Sequence, residues 1–183
     1  MNKLFQLKTS LVVVSVLALP VAAAAAMTKP DYSAGKTRIS AEYRTDKSAC
    51  AALKSNAKDI CVEEAKAKEK VAKAELEFAY TGKPADANKV LVAKAKSAYS
   101  VAKEKCDDQA GNAKEVCVKE AKAIEVKALA QAKMGKEITE AKKDAAADSR
   151  DADYKVAVEK CDAMTGDAKA SCVATAKMKF GKS

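Results

Sequence analysis

The chain has 183 residues, 49% of them apolar, with 34 Lys and Arg against 25 Asp and Glu and a formal net charge of +9. It contains six Cys, five Tyr and three Phe, but no Trp and no His. The missing imidazole removes the usual general base and the commonest zinc ligand, and the length points to one modest domain.

The first 26 residues have the layout of a secretory signal peptide. Lys3 and Lys8 give a basic start, Leu11 to Leu19 form a nine-residue apolar core, Pro20 breaks it, and the small residues 21–26 offer cleavage sites ending at Ala26. A membrane anchor would need about 20 apolar residues, and this core stops at Pro20. Residues 27–183 are therefore expected as the mature helical repeat domain, with no stable transmembrane segment after cleavage and a periplasmic location. That part has 32 basic and 25 acidic residues, a net charge of +7, with the two signs alternating along the chain. Such alternation marks solvated helix faces rather than a dedicated polyanion site. Alanine makes up about a fifth of it, which favours helix but buries little. Another source of stability is needed, and the cysteines supply it.

In chain order, residues 27–33 read as a flexible lead-in. A helix is expected up to Cys50, then a tight turn near Ser55, then a second helix that continues through Ala, Lys and Glu residues to Ala79. Thr81-Gly82-Lys83-Pro84 ends it, and a new helix runs from about Asp86 to Cys106, with Leu91 or Val92, Ala95, Tyr99, Ala102 and Cys106 as its buried stripe. After a turn at Gly111 the next helix reaches about Met134. Gly135 is the only breaker before Cys161. It is read as a turn, the alternative being one helix of up to about 50 residues. A last turn at Gly166 and a last helix complete an all-α chain of about six helices, with residues 181–183 frayed.

Three segments align without a gap: YRTDKSACAALKSNAKDICVEEAK (43–66), YSVAKEKCDDQAGNAKEVCVKEAK (99–122) and YKVAVEKCDAMTGDAKASCVATAK (154–177). They share Y-x6-C-x4-[GS]-[ND]-A-K-x2-C-V-x-[ET]-A-K, so the chain holds an internal repeat, with units over about 33–81, 85–134 and 136–183. Ser55, Gly111 and Gly166 suit a left-handed turn position. Asn56, Asn112 and Asp167 follow as candidate N-caps, with Asp59 and Glu115 three residues on, as in a capping box, and Ala170 in the third copy.

Each C-x10-C pair straddles its turn, placing both sulfurs at nearly the same height on antiparallel helices. Of the 15 possible pairings, the repeat favours Cys50 with Cys61, Cys106 with Cys117 and Cys161 with Cys172. Export provides the oxidising compartment. Each bridge closes a loop of about 12 residues and contributes on the order of 3 kcal/mol. Tyr43, Tyr99 and Tyr154 lie two turns before the first Cys of each copy, and are expected to pack beside the bridge.

No Cys pair has C-x2-C spacing, and no Gly-rich phosphate loop or calcium-loop spacing occurs. Pairs such as Glu63-Glu64 and Asp107-Asp108 read as solvated carboxylates. No catalytic residue, cofactor or metal is expected.

The stretches EKCDDQAGNAKEVCVKEAKA (104–123) and DADYKVAVEKCDA (151–163) resemble a group of small Ala/Lys-rich exported proteins of Gram-negative bacteria, described as TolA-like cell-envelope proteins. The resemblance spans most of the mature chain. It implies a periplasmic location and an envelope role, and it supplies no active site. TolA itself keeps an N-terminal membrane helix and ends in a strand-containing domain, and this chain shows neither pattern. The leading functional reading is a structural or protein-interaction protein whose partner is a protein or another envelope component rather than nucleic acid. The alternative is a module for an anionic lipid, polysaccharide or DNA, resting on the +7 charge and on the recurring Lys58, Lys114 and Lys169. A thiol-redox or metal-capture role requires free thiols.

Overall fold

A computed structural model describes residues 27–182; the expected signal peptide, residues 1–26, lies outside them. The described chain is all-helical: α1 (Lys29–Ala49), a short 3-10 turn (Cys50–Ala52), α2 (Ser55–Thr81), α3 (Pro84–Cys106), α4 (Gly111–Cys161) and α5 (Gly166–Phe180). Successive helices run antiparallel, and each touches only its neighbours in the sequence. Helices α1, α2, α3 and the first half of α4 thus form a one-layer array, while the second half of α4 projects beyond it and carries α5.

The three disulfides are those read from the spacing: Cys50–Cys61, Cys106–Cys117 and Cys161–Cys172, with Cα atoms 5.6, 5.7 and 5.7 Å apart. No described cysteine is free. The first cysteine of each pair is sealed, at 0%, 1% and 0% exposure, and these three are the largest fully buried side chains. Otherwise the core is mostly alanine (Ala65, Ala95, Ala121, Ala132 and Ala176) with Ile39, Leu76 and Val90. Alanine lets helices approach closely but contributes little apolar area, so the sulfur bridges take the place of a greasy centre. Close approach is sharpest at Gly35, where a Cβ would lie 2.7 Å from a Leu76 methyl carbon.

The turns repeat one geometry. The carbonyl of Cys50, Cys106 or Cys161 accepts from the amide three residues on, at Leu53, Gln109 or Met164. Ser55, Gly111 and Gly166 then adopt positive φ of 50°, 56° and 58° and start the next helix. Asn56, Asn112 and Asp167 are therefore not the caps that their residue types suggest. The flanking cap positions are Lys54, Ala110 and Thr165, none with a side-chain cap bond. Asn56 instead donates Nδ2 to the Glu104 carbonyl (3.1 Å) and to Asp108 Oδ1 (2.8 Å), tying α2 to α3.

The other breaker acts as its chemistry dictates. Gly82 ends α2 in the left-handed conformation (φ 62°) and Pro84 opens α3. Asp86 locks this corner: Thr81 donates to Oδ2 at 2.6 Å and Lys89 pairs with Oδ1 at 2.7 Å. Those two partners hold the carboxyl below the usual carboxylate range. Of the stripe expected on α3, Ala95 and Cys106 are buried, Val92, Tyr99 and Ala102 are half-buried and Leu91 is exposed, while Asp86, Val90 and Ser97 complete the buried set.

Two further expectations fail. Residues 27–33 are not a loose lead-in: α1 starts at Lys29, Thr28 Oγ1 caps the Asp31 amide, Tyr32 stacks on Tyr80 (4.4 Å) and its hydroxyl bonds Glu77. Nor does the chain turn at Gly135. Helix α4 continues through it for 51 residues, about 77 Å at the usual rise, so the described residues form five α-helices rather than six and the boundary between the second and third units lies inside one of them. A lone glycine costs a helix only about 1 kcal/mol. Lys133 with Glu137 spans the position and Lys136 with Glu140 follows it, each at 3.7 Å.

Candidate interaction surface

The three tyrosines sit where their spacing puts them, half-buried against a partner helix. Lys122 of α4 lies over the Tyr99 ring at 4.8 Å, and Tyr154 meets Phe180 of α5 edge-on at 6.2 Å. They are packing residues. The six cysteines are likewise consumed in bridges, leaving no thiol for redox or metal chemistry among the described residues. Those residues also hold no group of three or more His, Cys, Asp or Glu placed around a metal ion. No described helix is long and apolar enough to cross a membrane.

Of Lys58, Lys114 and Lys169, two are engaged within their own turn. Lys114 pairs with Asp107 at 3.0 Å and Lys169 with Asp162 at 2.9 Å. Both acids directly follow a first cysteine; in the first copy Ala51 stands there. These cations close turns.

A shallow groove of about 250 Å³ lies where the start of α3 passes the middle of α4, lined by Pro84, Ala87, Leu91, Gly135 and Thr139. Asn88 also faces it, and its Oδ1 is buried without a hydrogen-bond partner.

The larger surface is α4 itself. Its buried residues (Ala121, Glu125 and Ala132 toward α3; Cys161 toward α5) fall within about 40° of one another at 3.6 residues per turn, and the half-buried ones flank them, within about 140° in all. Both neighbours thus pack on the same side of the helix. The opposite side is open along its whole length. It carries Val116, Ala123, Met134, Ile138, Ala145 and Val156, within about 60°. Val116, Met134, Ile138 and Val156 are 45, 56, 48 and 53% exposed. Between the two covered ends, residues 133–146 are exposed on every side.

Comparison with protein-family models, curated proteins and solved structures finds no match to this chain. The surface has to be read from its own chemistry.

This stripe is absent from the sequence reading because a turn at Gly135 would have divided it. The signal that could have revealed it is present: strong helix formers and i,i+4 Lys–Glu pairs run through the glycine without the Thr, Pro or second Gly that mark the break at 81–84.

Proposed function

We propose that the chain is an exported cell-envelope protein, located in the periplasm after removal of residues 1–26, that serves as a rigid helical spacer and protein-interaction scaffold without catalysis. Three bridges between nearest cysteines suit an oxidising compartment. The observation that carries the reading is the continuous α4, whose residues 133–146 are all exposed between its two packed ends. A helix polar on most faces and stabilised by i,i+4 pairs is what joins two separated bodies through solvent. From Cys117 to Cys161 it holds two stapled ends about 66 Å apart. The polyanion alternative loses its main motif, since Lys114 and Lys169 are paired within their turns.

Lysine-directed crosslinking in intact cells, followed by mass spectrometry, tests this. The expected result is crosslinks from Lys127, Lys133, Lys136 or Lys142 to another envelope protein. Recovery without any such crosslink across several growth conditions refutes it.

A further inference from the structure

The open face of α4 has an internal template. In the α2–α3 interface, Glu64 pairs with Lys105 at 2.7 Å and Glu75 with Lys94 at 2.8 Å. Ala67, Lys68 and Val71 of α2 lie beside Ala98, Val101 and Ala102 of α3. The repeat maps α2 onto the first half of α4, and α3 onto the second half. Glu64 and Lys105 become Glu120 and Lys160; Glu75 and Lys94 become Gln131 and Ser149, still able to hydrogen-bond; Val101 becomes Val156. Lys68 becomes Ile124, which is 66% exposed.

So both halves of a packing interface are written on one helix. In this structure they face solvent, because an unbroken helix cannot fold back on itself.

We infer that two copies of the chain pair through α4, antiparallel and about a two-fold axis near Glu140, each supplying the half-interface that the other lacks. The template register sets Glu120 of one copy against Lys160 of the other, and brings Ile124 beside Val156. It places Ile138 across from Lys142 of the other copy, and Lys127 across from Asp153. Each contact occurs twice, as a closed two-fold interface requires. Helices α3 and α5 are no obstacle, since both lie on the far side of α4. The inference names one partner for the scaffold proposed above and rests on that reading. A single-chain result below removes the pairing and leaves crosslinks to other envelope proteins untouched.

Sedimentation equilibrium on the oxidised chain beginning at Met27 tests the pairing, up to about 100 µM. The expected mass is twice that of one chain. Ile138→Lys sets a cation against Lys142 of the other copy on both sides of the axis, and should weaken the dimer at least about tenfold while leaving the helical circular dichroism unchanged. Glu120→Lys alone and Lys160→Glu alone should each weaken it by about tenfold, from two like-charge contacts each. An equimolar mixture of those two variants should recover the wild-type affinity, because every contact across the axis is again opposite in charge. A single-chain mass at every concentration overturns the inference. A dimer indifferent to Ile138→Lys, or a mixture no tighter than its components, overturns it equally.

Discussion

Removing the third bridge with Cys161→Ala and Cys172→Ala should release α5 while sparing the rest of the molecule. Helix α5 has 15 residues, touches only α4, and buries little beyond Ala176. An isolated helix of that length is marginal in water. The bridge closes a loop of about 12 residues, which gives about 3 kcal/mol in the chain-entropy model. At a factor of ten per 1.4 kcal/mol, the closed hairpin should fall about 100-fold in population relative to the open one. Hydrogen exchange read by mass spectrometry measures this directly. Peptides covering 166–180 should lose about 100-fold of their protection, and those from α1, α2 and α3 should be unchanged. If α5 exchanges as in the wild type, packing rather than the sulfur bridge holds it. If every helix loses protection together, the third hairpin is not an independent unit and the reasoning fails.

Three further outcomes follow from other positions. Gly135→Ala should raise the thermal midpoint, stabilising by about 1 kcal/mol, since the position is helical and nothing lies within 4 Å of the added Cβ; a destabilisation would mean that the chain turns there. Ser55→Gly should stabilise the first hairpin by about 0.5–1 kcal/mol in urea titration, because Ser55 holds a left-handed φ of 50° that glycine occupies in the other two copies. Asp86→Asn should lower the thermal midpoint at neutral pH. The Asp86 carboxyl is held below its ordinary value by Lys89 and Thr81, so its contribution is complete above the unfolded-state value and is lost as pH falls through the lowered one. The difference between variant and wild type should therefore vanish in acid, and a gap that persists below the carboxylate range would refute the lock.

What the sequence made legible was local. Each disulfide pairing is favoured by ten intervening residues around a turn, and by the recurrence of that spacing in all three copies. The break at 81–84 was readable because Gly82 and Pro84 act together, one ending a helix and the other unable to continue it. What stayed hidden depended on competition. Asn56 has the right side chain for a cap, but the left-handed residue before it starts the helix earlier and frees the amide for Glu104 on α3. The start of α1 was written as Thr28, Pro30 and Asp31, a cap, a first-turn proline and an acid at the positive helix end, yet its polarity resembles a loose terminus. Gly135 was a matter of magnitude: about 1 kcal/mol against the helix, with no partner residue to turn that cost into a bend.

The position of the staples has a mechanical consequence. Each one joins residues 11 apart, close to its turn, so tension between the two ends of the chain can peel helices from one another but cannot pull out the enclosed loop. Three such loops withhold about 100 Å of contour at the usual extended length per residue. A tether built this way yields easily at first and then stops short, at an extension fixed by sulfur rather than by folding strength, and it lengthens only once a reductant reaches the bridges.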